Sequence, residues 1–147
     1  PITLFINTKY LDKQSWSAIN EEQARRTKPK VDMLTEVCPN LYMSKEELFA
    51  LASPIVSVGM HGHEHLDALK QSEEEFRENV EKCNEILSRH PGFVPYFAYT
   101  WGKHSERTDD VLREMDVTPV LVDGRKNYRC SEDANSISRI CIDGKQL

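Results

Sequence analysis

Three histidines stand within five residues in the segment from His61 to His65. Imidazole nitrogens are common ligands of zinc and similar divalent ions. If the segment is helical, His61 and His65 share one face at i and i+4 and can close on one ion, while His63 points away. If the segment is extended, all three histidines share a face. Both conformations predict a metal site; the alternative is a polar loop whose histidines only cap the following helix.

Apolar runs alternate with amphipathic segments along the chain, and this alternation predicts an α/β fold with a parallel sheet. Ile2 to Ile6 and Ile55 to Met60 are typical of buried strands, because they are apolar nearly throughout. The second of these strands ends where the histidines begin. We therefore expect the histidines at the carboxyl edge of the sheet, where β/α barrels place their sites.

Two capping boxes, Ser44 with Glu47 and Ser72 with Glu75, predict where helices begin. The first helix should run from Lys45 to Ala52. The second should continue to Pro91, with apolar residues at helical spacing at Phe76, Val80, Cys83 and Leu87. The further predicted elements are a strand over Val94 to Tyr99, a helix over Glu106 to Met115, and strands over Pro119 to Val122 and Ile137 to Ile142. The polar stretch from Leu11 to Lys30 is expected to be an insertion or a loose helix followed by a loop.

The composition is that of an ordinary globular domain, with 39% apolar and 29% charged residues in 147. A net charge of −5 argues against a nucleic-acid partner, and the basic cluster from Arg25 to Lys30 is too short to change that. No apolar run has membrane-spanning length, so no membrane partner is expected and the cytoplasm is the default location. The cysteines lack metal-site spacing and are expected to be buried or idle thiols: Cys38, Cys83, Cys130 and Cys141.

The chain opens directly on the strand from Ile2 to Ile6, with no lead-in. We expect residues 1–147 to form a single domain that is incomplete at its N-terminus. An unpaired strand at a sheet edge is an aggregation hazard. A preceding segment or a second subunit of a homo-oligomer is therefore expected to cover this edge.

Four segments carry a family resemblance: Thr3 to Thr8 (TLFINT), Gly59 to His65 (GMHGHEH) with Leu69, Phe97 to Gly102 (FAYTWG) and Ile137 to Ile140 (ISRI). In order and spacing they resemble motifs of the polysaccharide deacetylases of the NodB-homology group, a carbohydrate esterase family. The resemblance covers most of the chain. It implies a partial or distorted (β/α) barrel that hydrolyses acetyl groups from amino sugars or acylated polysaccharides.

The resemblance also implies a site. His61 and His65, together with an aspartate, would hold a divalent metal ion, most often zinc, that activates water and polarises the acetyl carbonyl. The backbone N–H of Trp101 would help hold the tetrahedral oxyanion, with the indole ring against the sugar. The alternative for Trp101 is a core aromatic beside a tight turn.

Three departures from the family pattern bear on activity. The opening Thr-Phe-Asp-Asp motif, which supplies the general base and the acidic ligand, is absent from the sequence; Ala98 replaces an arginine that many members carry; and the late Leu-x-His that provides the general acid is missing. His104 is the remaining candidate for the acid, although it also fits an exposed histidine that leads a helix. A third ligand could come from His63, Glu64 or Asp67, but an aspartate in a longer parent chain is preferred.

Two other functions remain open. A degenerate deacetylase fold could hold a glycan or a metal without turnover. An amidohydrolase-type barrel could bind metal through His61 and His63 at i and i+2, but it needs further histidines on later strands, and only His90 and His104 follow His65. The histidine that controls metal affinity separates these possibilities. Because many family members are exported or act on cell-surface glycans, the location stays open.

Overall fold

The computed structural model describes residues 1–11, 43–123 and 136–139. The chain forms two compact units, one made of Pro1–Thr8 with Ser53–Leu147 and the other of Lys9–Ala52. Several predicted features lie outside the described residues: the stretch from residue 12 to Lys30 with its basic cluster, the end of the last strand from Ile140, and Cys38, Cys130 and Cys141.

In the described residues, the first unit is built on a parallel five-stranded sheet whose strands lie side by side in sequence order. The strands are β1 Ile2–Ile6, β2 Val56–Met60, β3 Phe93–Ala98, β4 Thr118–Leu121 and β5 Ile137–Ser138. Each described strand pairs in parallel with its neighbour in sequence, as successive β/α units do. The predicted α/β class is confirmed. The described strands form an open sheet, which corresponds to part of a barrel.

Two helices of the first unit, α2 Glu73–Leu87 and α3 Glu106–Glu114, pack on this sheet, α2 against β2 and α3 against β4. The Ser72 hydroxyl accepts a hydrogen bond from Glu75 N–H at 3.2 Å, and the Glu75 carboxylate accepts one from Ser72 N–H at 2.7 Å, so the predicted capping box begins α2. The predicted apolar face of α2 is confirmed as buried: Phe76, Val80, Cys83 and Leu87.

The described part of the second unit contains α1 Lys45–Ala50, which begins at the predicted capping box of Ser44 and Glu47. The helix ends two residues before the predicted Ala52. The C-cap residue Leu51 has ψ 10°, and its N–H bonds to the carbonyl oxygen of Leu48 in a tighter turn, so the α-helical backbone ends there. None of the helices in the described residues is both long and apolar enough to cross a bilayer.

An aromatic cluster anchors the end of β3 to α2. The rings of Phe76, Phe97 and Tyr99 are all buried, and their centroids lie 5.3 to 6.0 Å apart. Such contacts add a directional component to the burial of apolar area. The cluster therefore fixes where β3 ends and where the following turn begins.

Strand β1 lies at one edge of the described sheet, where it pairs with β2. Ile2 at its start is 58% exposed. The predicted covering of this edge by a second subunit remains a prediction.

Cys83 offers a test of the packing between α2 and β1. Its thiol is buried beside the carbonyl oxygen of Ile6, with Sγ 3.6 Å from that oxygen, and burial raises the pKa of Cys83 to about 11. The raised pKa keeps the thiol protonated at pH 8, and each pKa unit lowers the reactive thiolate fraction about tenfold. We expect iodoacetamide to label Cys83 slowly in the native protein and rapidly in urea, as measured by peptide mass spectrometry. Equal labelling rates in both samples would show that α2 does not cover this thiol.

Candidate functional site

The histidine segment is a loop after β2, neither helical nor extended throughout. The N–H of His61 still donates to the carbonyl oxygen of Ile6 at 3.0 Å, in line with the sheet. The backbone then turns at Gly62, where φ is +84°. The turn folds His65 back toward His61, and their ring centroids lie 5.1 Å apart, edge to face.

His63 takes a different direction from the other two histidines. Its Nδ1 shares a hydrogen bond of 2.9 Å with the buried hydroxyl of Thr8, at the end of β1. The structure thus brings together the i and i+4 pair, His61 and His65, which is the pairing expected of a deacetylase.

Two asparagines hold the loop in this shape. Asn79 on α2 accepts hydrogen bonds through Oδ1 from the N–H groups of His63 and Glu64, at 2.6 and 3.0 Å. Asn7, just after β1, donates through Nδ2 to the carbonyl oxygens of His61 and Gly62, at 2.5 and 3.2 Å. Sequence reasoning missed both roles, because each contact joins residues far apart in the chain.

Gly62 is required at the turn for two reasons. Its backbone has a positive φ, which residues other than glycine rarely adopt. A Cβ at this position would also lie 3.0 Å from the carbonyl oxygen of Glu64 and 3.1 Å from Oδ1 of Asn79. The loop therefore closes tightly around a residue without a side chain.

The imidazole of His61 has a defined orientation. Its Nδ1 lies 2.6 Å from the carbonyl oxygen of Ala98, at the end of β3. Because a carbonyl oxygen only accepts, Nδ1 carries the hydrogen, and the neutral ring keeps its lone pair on Nε2. Burial lowers the pKa of His61; the hydrogen bond to Ala98 opposes this shift, and the charge of Arg139 adds to it. The ring is therefore neutral at pH 7, the form that binds metal.

The donor set fits part of a zinc site. A backbone carbonyl that accepts from one ring nitrogen is the usual support for a histidine that binds metal through the other. A catalytic zinc ion generally has three protein ligands, however. Within residues 1–11, 43–123 and 136–139, no group of three or more His, Cys, Asp or Glu side chains is placed to hold a metal. His63, Glu64 and Asp67, the local candidates for a third ligand, do not complete such a group.

Trp101 lies in the 3-10 turn Thr100–Gly102 that follows β3. Its backbone is left-handed, with φ +56°, and its side chain is 43% exposed. The indole ring contacts His65 edge-on, with centroids 5.0 Å apart. Trp101 is thus a surface aromatic beside the histidine pair and not a core residue.

His104 is oriented by a buried carboxylate. Its Nδ1 lies 3.1 Å from Oδ2 of Asp109 on α3, and the hydroxyl of Tyr99 donates to Oδ1 of the same carboxylate at 2.7 Å. Burial raises the pKa of Tyr99 far above its ordinary value, so its hydroxyl remains a donor. The His104 ring also lies against the ring of Tyr99, with centroids 5.5 Å apart. Sequence reasoning identified His104 but not Asp109, which lies five residues further on.

Arg139 brings a positive charge toward His61 from the end of β5. Its guanidinium carbon lies 5.8 Å from the centre of the Phe5 ring, and its positive charge contributes to the lowered pKa of His61. The Nε atom of Arg139 is buried and has no hydrogen-bond partner among the described residues. An unsatisfied buried donor is unfavourable, so this position favours a nearby acceptor.

A comparison with protein families identifies the chain. The family model described as polysaccharide deacetylase matches residues 1–120. The chain belongs to the polysaccharide deacetylase family. The resemblance inferred from the sequence is confirmed, with three of its four segments inside the matched residues and Ile137 to Ile140 outside them. No curated protein sequence matches this family member.

Solved structures with the same fold include known deacetylases. IcaB from Ammonifex degensii aligns with a TM-score of 0.67 at 19% identity, over 99% of this chain and 57% of that protein. A polysaccharide deacetylase from Bacillus cereus aligns with a TM-score of 0.59 at 16% identity, over 94% of this chain and 36% of that protein. A de-N-acetylase from Aggregatibacter actinomycetemcomitans aligns with a TM-score of 0.51 at 10% identity, over 71% of this chain and 50% of that protein. The polysaccharide deacetylase chain described here thus spans about 57% or less of each of these proteins.

The loop held by Asn79 can be tested directly. We expect Asn79→Ala to lower the free energy of unfolding by about 1–3 kcal/mol, because the N–H groups of His63 and Glu64 lose their acceptor. Urea unfolding measures the change, and Asn84→Ala, at another half-buried position of α2, is the matched control. If both variants lose the same stability, the role assigned to Asn79 is wrong.

Proposed function

We propose that the protein is a metal-dependent hydrolase that removes acetyl groups from N- or O-acetylated carbohydrate. The observation that carries this proposal is the pairing of His61 with His65 at a ring distance of 5.1 Å, with Nδ1 of His61 occupied by Ala98. The pair lies where β2 ends, beside the ends of β1 and β3, as expected for a site on a β/α sheet.

His61 and His65 would hold a divalent ion, for which zinc is the first candidate because two imidazoles suit it. When bound, the metal supplies a Lewis acid for the acetyl carbonyl and an acidified water. The contribution of the chain is orientation. Ala98 fixes the His61 ring, while Asn79 and Asn7 fix the loop that carries both ligands.

Trp101 and His104 are proposed as the groups that act on the substrate. The exposure of Trp101 and its contact with His65 support an indole ring that packs against the sugar, with its backbone N–H as an oxyanion donor. The hydrogen bond between His104 and the buried carboxylate of Asp109 supports a general acid, because a carboxylate on Nδ1 orients the ring and leaves Nε2 to face a substrate.

A third ligand and a general base are still required. We propose that carboxylates from outside the described residues provide them. Arg139 supports this, because a positive charge beside His61 with a buried, unsatisfied Nε favours an anionic acceptor nearby. An acetylated carbohydrate is the proposed partner, and a second subunit at the edge strand β1 remains a further candidate.

One observation favours a second candidate function. The described residues offer two metal ligands where catalysis generally uses three. A chain that never gains a third ligand would bind glycan or metal weakly and without turnover. Deacetylation stimulated by added metal separates the two functions.

Metal content is the test of the ligand pair. We expect near-stoichiometric zinc in the dialysed protein, and loss of it in His61→Ala and His65→Ala. The zinc affinity of these two variants should fall by more than roughly 10- to 100-fold, which is the loss typical when a group that only orients a metal ligand is removed. His63→Ala is the matched control, because its ring turns to Thr8. Zinc that depends on His63 and not on His65 would support an amidohydrolase-type site instead.

His104 is tested by activity toward an acetylated chito-oligosaccharide. If His104 is the general acid, His104→Gln lowers kcat by about 10²- to 10⁴-fold with little change in KM, and it removes one limb of the pH–rate profile. Asp109→Asn should lower kcat in the same direction but by less, because the His104 ring loses the carboxylate that orients it. An unchanged pH profile in His104→Gln would assign His104 a structural role only.

A further inference from the structure

Asp67 stands two residues after His65 and uses both oxygens of its carboxylate. Oδ1 accepts from the N–H of Leu69 at 3.1 Å and so caps the 3-10 turn Ala68–Lys70. Oδ2 accepts from Nζ of Lys103 at 2.7 Å. The Asp67 side chain is 8% exposed and that of Lys103 is 49% exposed. The lysine therefore compensates a nearly buried charge, and it holds the pKa of Asp67 below its usual range.

Lys103 has a second contact, with the ring of Trp101. Its Nζ lies over that ring, 5.6 Å from the centroid, within the range of a cation–π interaction. The ammonium group occupies one face of the indole. A sugar that stacks on Trp101 would therefore use the opposite face.

These contacts form a closed circuit of four residues that joins the loop after β2 to the loop after β3. His65 contacts Trp101, Trp101 lies under Lys103, Lys103 pairs with Asp67, and Asp67 leads back along the chain to His65. Two of the four links are non-covalent contacts of Lys103. Lys103 thus ties the two loops together, beside the direct contact of His65 with Trp101.

The turn at Trp101 needs such support. A left-handed backbone is unfavourable for a residue with a side chain, and Trp101 adopts φ +56°. Two backbone hydrogen bonds close the turn, from Gly102 N–H to Tyr99 and from Lys103 N–H to Thr100, at 3.0 and 3.2 Å. They fix the backbone but not the exposed indole ring, which the side chain of Lys103 contacts directly.

We propose that Asp67 and Lys103 are positioning residues, whose ion pair holds the Trp101 ring beside His65 in the orientation that receives the sugar. This inference rests on the proposed carbohydrate deacetylase function. It assigns the pair to substrate binding and not to metal binding or to the chemical step.

The experiment uses the protein with Trp16→Phe as background, so that Trp101 is its sole tryptophan. Lys103→Met and Asp67→Asn remove the charge pair, and the asparagine retains an oxygen that can cap the 3-10 turn. Lys103→Arg retains the charge. Lys82→Met is the matched control, because Lys82 forms an exposed ion pair with Glu78 at 2.6 Å on α2.

We expect Lys103→Met and Asp67→Asn to increase acrylamide quenching of Trp101 fluorescence. KM for an acetylated chito-oligosaccharide should rise about three- to tenfold, a range that allows for solvent screening of a half-exposed pair. Zinc content and kcat should stay at the parental values. Lys103→Arg should keep both quenching and KM near those values, Lys82→Met should match the parent, and the Asp67→Asn/Lys103→Met double variant should equal either single variant.

Two outcomes overturn the inference. Unchanged quenching in Lys103→Met means that the pair does not hold Trp101. Loss of zinc, or a fall in kcat as large as the rise in KM, means that the pair serves the metal site or the fold as a whole. If the parent shows no deacetylation, the proposed function fails, and the quenching comparison still decides whether the pair positions Trp101.

Discussion

The hydrogen bond between His61 Nδ1 and the carbonyl oxygen of Ala98 joins the ends of two neighbouring strands, and the geometry of the site depends on it. It sets the ring's tautomer, so that Nε2 is the atom presented for ligation. It requires β2 and β3 to end at matching levels. The register between them, with Met60 opposite Phe97, meets this requirement.

The sheet and its core maintain that register. Gly59 on β2 allows close packing, because a Cβ there would lie 2.8 Å from the Phe5 ring. On the other side, the cluster of Phe76, Phe97 and Tyr99 fixes the end of β3 against α2. The buried core thus positions one histidine through the backbone. Polar side chains, chiefly Asn79 and Asn7, position the loop that brings the second histidine to it.

Local patterns predicted much of this structure. Capping boxes marked the starts of α1 and α2, helical spacing identified the buried face of α2, and apolar runs located β1 to β4 to within one residue. The strand predicted over Ile137 to Ile142 is shorter, since β5 ends at Ser138. Those signals are local, because capping depends on hydrogen bonds between residues three apart and burial depends on how often apolar side chains recur along a helix or strand. The conformation of the histidine loop was left open between helix and strand, and it proved to be neither, since Gly62 turns the chain after a single residue.

Most of the contacts that sequence reasoning missed join distant segments; the contact of His104 with Asp109, five residues further on, is the local exception. Asn79 reaches a loop 15 residues away, Lys103 reaches Asp67 across 36 residues, and Arg139 approaches His61 from the last described strand. Polar residues of these types are common on protein surfaces, so their identity alone carries no signal. Their roles follow only from the parallel sheet, which brings the ends of successive strands to one edge.

The most direct test of this account is a long-range ¹H–¹⁵N NMR correlation of the histidine rings, recorded on labelled protein before and after zinc is added. The account predicts that His61 is the Nδ1–H tautomer in both samples, and that zinc shifts Nε2 of His61 and a ring nitrogen of His65 while His63 is unaffected. An Nε2–H tautomer at His61, or a zinc-dependent shift at His63 in place of His65, would contradict it.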